Sequence, residues 1–311
     1  QAMTAVQCAK EGLDTATWAT SNNQILAFSV GNPTLIPENG TNETFGVVWQ
    51  PTTIELLENI NFKMAIDSFT LEIENAVVGS GSQNALNQCY LSGREDYCAK
   101  VSRSYGGDVN SVEYGYINSE SMDRFRGVDY SVNMTFEDLS LIGGNLEVDV
   151  IGTHFKENVT VDASGVSDDY VGACYDFGES CFNRDRITLS LRYYKNDWRI
   201  GLTTRFLSGI DTSDTVKDYF AESPYGDPLP SGWQQEVFDI YSVPDYHISN
   251  LNIGYDFTEH FNANLTISNL FDRDPPYYKD FFGFVDPQIN TPQNTYDVVG
   301  RYFQVGFKLT Y

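Results

Sequence analysis

Tyr302-Phe303-Gln304-Val305-Gly306-Phe307-Lys308-Leu309-Thr310-Tyr311 alternates without a break. Phe303, Val305, Phe307, Leu309 and Tyr311 fall on one side, and the intervening residues are mostly polar, small or charged. A period of two is the signature of a β-strand with one apolar and one polar face. The pattern recurs upstream. Phe261, Ala263, Leu265 and Ile267 oppose Asn262, Asn264, Thr266 and Ser268; Leu251, Ile253, Tyr255 and Phe257 oppose Asn250, Asn252, Gly254 and Asp256. Five further stretches repeat it, around Trp198–Phe206, Ile187–Tyr193, Leu146–Val150, Val128–Phe136 and Phe45–Trp49. The ninth runs from Phe62 to Ile73 with a one-residue phase slip, which predicts a β-bulge near Asp67. About nine strands result, and all eleven prolines fall outside their cores.

The connections alternate in length. Short links follow Gln50, Phe136, Tyr193 and Phe257, whereas long stretches occupy roughly 75–111, 156–184, 209–244 and 272–296. Within 82–103, Ala85, Leu86 and Cys89 share a face and predict a short helix. Alternation alone leaves two architectures open. In a soluble sandwich the apolar face points inward; in an outer-membrane barrel it meets lipid and the polar face lines the lumen. Aromatics favour the barrel, because Tyr311, Phe257, Phe261, Tyr193, Trp198 and Phe136 collect at the short-turn ends on the apolar face. Charge on the polar face agrees: Glu147 and Asp149 precede a strand with Arg186 and Arg192, and the next carries Arg199 and Arg205. Glu147, Arg192 and Arg199 are expected at one depth, as a lateral ion-pair ladder on the inner wall. The fold class is therefore all-β, an antiparallel transmembrane barrel with short turns at one rim and long loops at the other.

Composition narrows the function. The chain has 311 residues, 19 Lys+Arg against 43 Asp+Glu and a formal charge of −24, which excludes a nucleic-acid binder relying on a basic face. No apolar run is long enough for a transmembrane helix. Five cysteines include two close pairs, Cys89/Cys98 and Cys174/Cys181, without zinc-ribbon or CxxC spacing; they predict two small disulfide loops and an oxidising compartment, with Cys8 left over. His154, His247 and His260 form no metal motif and have no evident nucleophile partners, so no metal, cofactor or enzymatic activity is expected. Acidic residues between Asp211 and Asp239 fit no EF-hand spacing and read as a solvated surface.

Several stretches then resemble one family. Asn269-Leu270-Phe271-Asp272-Arg273-Asp274-Pro275-Pro276 is similar to the NLFD(K/R)xPP signature of TonB-dependent outer-membrane receptors. Tyr296-Asp297-Val298-Val299-Gly300-Arg301 resembles the closing YDxxGR element; Asn32-Pro33-Thr34-Leu35-Ile36-Pro37-Glu38 resembles NPxLxPE; and Asn118 with Gly127-Val128-Asp129 resembles a further strand motif. The terminus resembles an outer-membrane assembly signal through Gln304, Gly306, Leu309 and Tyr311.

The resemblance implies the last nine strands of a 22-stranded barrel, with 1–42 as an extracellular loop and 43–311 as strands and loops. It implies that the plug domain and TonB box lie outside this chain. It implies a Gram-negative outer-membrane protein, not an enzyme, that captures a scarce nutrient and imports it into the periplasm with energy relayed by TonB. The expected partners are outer-membrane lipid and lipopolysaccharide, the TonB complex, the plug and remaining barrel, and a small-molecule or oligosaccharide substrate. Siderophores, cobalamin, haem and oligosaccharides are the family's substrate classes, and the cysteine loops resemble a branch that leans toward oligosaccharides. Tyr225, Trp233, Tyr277, Tyr278, Phe281 and Phe282 supply loop rings that could stack on a ligand. Glu147, Asp149, Arg186, Arg192, Arg199 and Arg205 are the expected lumen and plug-docking charges. The competing readings are a passive porin, a barrel lipase or protease, and a soluble β-sandwich lectin.

Overall fold

The computed structural model describes residues 6, 8–12, 25–51, 60–104, 107–119, 122–139, 142–161, 167–174, 181–211, 242–277, 291 and 295–310. The first half contains strands β1 (Leu26–Val30), β2 (Asn39–Trp49), β3 (Ile60–Glu74) and β4 (Val77–Gly79), and helices α1 (Ser82–Tyr90) and α2 (Glu95–Cys98). It continues with β5 (Val101–Arg103), β6 (Val109–Asn118), β7 (Asp123–Phe136) and β8 (Asn145–Val161). Then come β9 (Ser167–Asp169), β10 (Ala173–Cys174), β11 (Cys181–Phe182) and β12 (Asp185–Lys195). The last strands are β13 (Trp198–Leu207), β14 (Tyr246–Thr258), β15 (Phe261–Ser268) and β16 (Tyr302–Leu309).

Two compact units result. One comprises 42–70, 125–158 and 170–311; the other comprises 1–41, 71–124 and 159–169. A meander runs β2-β3-β7-β8-β12-β13-β14-β15-β16, with β2 and β16 outermost and short β9 beside β8. The nine long strands are those the alternation located. Exposure along β3 also changes phase, at Met64–Ala65.

The turns explain the register. Asn196 takes φ 49° in the two-residue link between β12 and β13, a left-handed conformation that Asn tolerates in tight hairpins. Thr258 Oγ1 accepts from the backbone N–H of His260 and Phe261, closing the next short turn. Gly144, at φ 81°, ends the link into β8; a Cβ there would lie 2.4 Å from the Tyr194 carbonyl oxygen, so only glycine fits.

Paired residues across antiparallel strands share a face, so the register sorts the side chains. Arg192 faces Glu147 and Gly201, Asn252 faces Gly201 and Thr266, and Asn264 faces Gly306. These residues define one polar wall. The opposite face is apolar and uncovered: Phe303 is 65% exposed and Phe307 71%. Near the short turns its rings form a continuous row. Trp198 meets Tyr255 at 4.6 Å, Tyr255 meets Phe257 at 4.8 Å, Phe257 meets Phe261 at 5.2 Å and Phe261 meets Phe307 at 6.2 Å.

In the other unit β1 pairs in parallel with β6, while β4 and β5 add antiparallel to β6. The stretch expected to be only a loop, 1–42, thus contains β1 and the start of β2. Helix α1 buries Ala85 and Cys89 as expected, against Tyr97, Val112 and the free thiol of Cys8. Cys89 and Cys98 are disulfide-bonded and tie α1 to α2. Beside them Arg103 Nη2 donates to Tyr90 Oη at 2.7 Å, and Tyr90 Oη donates to Glu11 Oε2 at 2.9 Å.

Burial pushes the Tyr90 phenol up to about 12, with Glu11 adding to the shift and Arg103 opposing it. A raised phenol pKa contributes stability that is full below pH 10 and lost as pH rises toward 12. Tyrosinate absorbance should therefore show a late step near pH 12 that Tyr90→Phe removes. Gly127 supplies a packing test. A Cβ there would stand 2.6 Å from the Phe69 ring and 2.9 Å from the His154 carbonyl oxygen. Gly127→Ala should cost about 1–3 kcal/mol through overpacking, read as a lowered chemical-unfolding midpoint. At Gly201 the nearest atoms would be 3.9 Å away, so Gly201→Ala should stay within about 0.5 kcal/mol.

Candidate functional site

The polar wall changes character along its height. Near the short turns it is charged and paired. Arg192 Nε donates to Glu147 Oε2 at 2.8 Å, while its Nη2 binds Asp149. Asn133 of β7 also donates to Asp149, and farther up the wall Thr153 donates to Asp129 at 2.5 Å. Glu147 and Arg192 are direct register partners, at the common depth expected for them. Arg199 departs from the expected ladder. It pairs with Asp256 on β14 through both guanidinium nitrogens. The reason is geometric: across the β12–β13 ladder Arg199 faces Tyr194, while on its other side it faces Gly254, whose missing side chain lets it reach the carboxylate two residues on.

At the long-connection end the same wall becomes partly buried. Leu207, Tyr246 and Ile248 join Cys174, Cys181, Ile210, Val243 and Tyr296 in one apolar cluster. Cys174 and Cys181, both within it, are disulfide-bonded. Tyr246 and Tyr296 pack edge to face at 5.4 Å. Asn183 is fully buried, and its Nδ2 donates to Ser208 O at 2.7 Å and to Tyr296 Oη at 3.2 Å. Burial raises the Tyr296 phenol pKa, against the hydrogen bond from Asn183.

Between wall and loops lies a cavity of about 520 Å³. Thr153, Arg186, Thr188 and Arg205 line it from the long strands, and Cys181, Phe182, Asn183 and Thr295 from the short β11 and the connections beside it. The Arg186 guanidinium lies over the Phe182 ring at 4.7 Å and the Phe155 ring at 5.5 Å, part of a cluster that includes Phe69 and Phe125. Sequence reasoning put Arg186 and Arg205 on the polar face but missed this aromatic floor. Phe69, Phe125, Phe155 and Phe182 come from four separate strands, and no local pattern joins them.

The motif stretches hold structure. Asn269, at φ 50° and buried, accepts from the Arg273 N–H at 2.8 Å and donates to the Arg273 carbonyl at 2.9 Å. Asp272 Oδ1 accepts from the Arg301 N–H at 2.8 Å, locking the chain before β16 to the end of β15. Asn32 binds Thr34 in an Asx turn and donates to Tyr116 O; Asn118 pins both backbone groups of Ile36; and Glu38 accepts from Val77 N–H at 2.6 Å. At the terminus, Gln304, Gly306 and Leu309 lie on β16, and a Cβ on Gly306 would meet Asn264 at 2.4 Å. Tyr311 lies outside the described residues, as do Tyr225, Trp233, Tyr278, Phe281 and Phe282 among the loop rings; Tyr277 is described and exposed.

These features agree with a family profile described as TonB dependent receptor-like, beta-barrel, which matches residues 11–270. The chain belongs to that family of TonB-dependent receptors, which are not enzymes. Among solved structures it is similar to a mutant ferric enterobactin receptor, PfeA, from Pseudomonas aeruginosa, at 13% identity and TM-score 0.53, over 88% of this chain and 31% of that one. It is also similar to the siderophore receptor PirA from Acinetobacter baumannii, at 14% identity and TM-score 0.54, over 90% and 33% respectively. The likeness at this identity is one of fold, and the chain spans about a third of those receptors' length. No curated protein matches.

The Arg192 site yields a measurable expectation. Arg192, Glu147 and Asp149 all retain solvent contact in this structure. A double-mutant cycle between Arg192→Ala and Glu147→Ala should give a coupling of at most about 1 kcal/mol that shrinks with added salt.

Proposed function

We propose that this chain is the C-terminal barrel portion of a TonB-dependent outer-membrane transporter. The observation that carries this reading is the nine-strand meander whose aromatic, apolar face is uncovered while its opposite face is polar and laterally ion-paired. In a bilayer the uncovered face is solvated by acyl chains, and the ring row lies at the periplasmic interface. The long connections then face the cell exterior, where both disulfides find an oxidising medium. The outermost strands β2 and β16 pair with the other barrel strands of the receptor, because an open edge cannot remain in hydrocarbon.

Function follows as capture of a scarce nutrient by the outer loops, then import into the periplasm driven through TonB. Ferric siderophores, cobalamin and oligosaccharides are the substrate classes in view. A plug inside the barrel shields the Glu147–Arg192–Asp149 network from water, which raises the cost of an unpaired charge there. Arg192→Ala in the intact receptor should therefore loosen the plug, read as faster proteolysis of that domain, with little change in barrel unfolding. The function itself is tested by nutrient-limited growth of cells that depend on the intact receptor. Growth that stops when TonB is deleted or the membrane potential is collapsed supports the reading. Growth that continues identifies a passive channel instead.

A further inference from the structure

The two arginines of the upper wall are unlike the others on the sheet. Arg126 pairs with Glu157, Arg192 with Glu147 and Asp149, and Arg199 with Asp256. Arg186 and Arg205 have no carboxylate partner among the described residues, in a chain with 43 acidic residues against 19 basic ones. Both line one cavity, and among the described residues no acidic side chain lines it with them. Thr188 and Arg205 are register partners, and Arg186 is two residues from Thr188 on the same face, so the two cations flank one step of the ladder. Arg186 packs over the Phe155 and Phe182 rings, a contact that holds a guanidinium without cancelling its charge.

A second observation lies on the loop side. Asn183 is fully buried and lines the cavity, and among the described residues its Oδ1 has no hydrogen-bond donor, although its Nδ2 is satisfied twice. A buried acceptor left unpaired is costly unless a donor arrives. The cavity therefore presents cationic donors on one wall and an orphaned acceptor on the other. Its volume of about 520 Å³ suits one small organic molecule.

Resting on the reading of this face as the receptor's inner wall, we infer that the cavity binds a hydroxylated carboxylate, such as a sugar acid. The carboxylate bridges Arg186 and Arg205, and a ligand hydroxyl donates to Asn183 Oδ1. A neutral sugar supplies the hydroxyl without the charge, and a bare anion supplies the charge without the donor, so neither satisfies both walls.

The test uses the intact receptor in detergent at low ionic strength, with D-glucuronate, D-glucose, citrate and inorganic sulfate titrated calorimetrically. Glucose and glucuronate differ only in the carboxylate that replaces a hydroxymethyl group. Binding of glucuronate or citrate, at least about tenfold tighter than glucose and sulfate, is the expected result. Arg205→Gln should weaken it about tenfold or more, and Arg186→Lys should also weaken it because an ammonium lacks the planar fork. Arg205 is outside the aromatic cluster, so its variant retains the fold, which unchanged mobility of the heated and unheated protein verifies. Absence of binding by both carboxylates, equal binding of glucose, sulfate bound as tightly as the carboxylates, or full affinity in Arg205→Gln would each overturn the inference. Equilibrium binding needs no energy source. Its failure is therefore distinct from a failure of TonB-dependent growth.

Discussion

A sheet with one apolar and one polar face must find an apolar medium for the first, and the rest of this structure depends on that constraint. Nine strands leave Phe303, Val305, Phe307 and Leu309 uncovered along the last of them alone. In water an apolar face of this extent costs on the order of 25 cal/mol per Å² and drives association. Facing acyl chains it costs little, and polar residues are then free to occupy the enclosed side. The inversion explains why the partly buried ion pairs lie on the wall opposite the rings. It also explains why the buried apolar clusters are small and lie in the long connections and at the strand ends that meet them.

The long connections face a different problem. They draw little core from the sheet beyond Leu207, Tyr246 and Ile248, so they supply local fastenings. One disulfide ties α1 to α2 around a small apolar cluster, and the other lies within the cluster that holds Tyr246 and Tyr296. Side-chain amides fasten what the disulfides do not. Asn118 joins Ile36 and Asn75, while Asn269 staples itself to Arg273. These amides replace the ladder hydrogen bonds that irregular backbone would otherwise lack. The family-like motifs are thus explained by backbone satisfaction, with no need for contact with a ligand.

Alternation made the nine strands legible because period two depends only on neighbouring residues. The Glu147–Arg192 pairing was legible too, since each lies beside a short turn, Glu147 just after the link into β8 and Arg192 just before the link out of β12, which sets both at one rim. The Arg199–Asp256 pair was not, because it depends on Gly254 lying opposite Arg199, a matter of register with β14. Parallel pairing of β1 with β6 was hidden for a similar reason: more than seventy residues separate the partners, although Leu26, Phe28 and Val30 do alternate. The cavity was least legible of all. Its arginines stood out by residue type, but the Phe155 and Phe182 floor and the orphaned oxygen of Asn183 exist only once distant strands and loops meet.

Charge distribution connects the wall to its use. An acidic chain repels anions at long range, so an anion reaching the wall must be drawn by local cations. Lower on the wall each arginine is already neutralised by a carboxylate on a neighbouring strand, and such pairs fix lateral register without attracting a solute. Higher up, Arg186 is held by rings, which position the guanidinium while leaving its charge uncancelled. A carboxylate would have fixed it equally well but would have removed the field. The same residue type is therefore a paired strut at one height and an uncancelled cation at another, and the difference lies in what each arginine packs against.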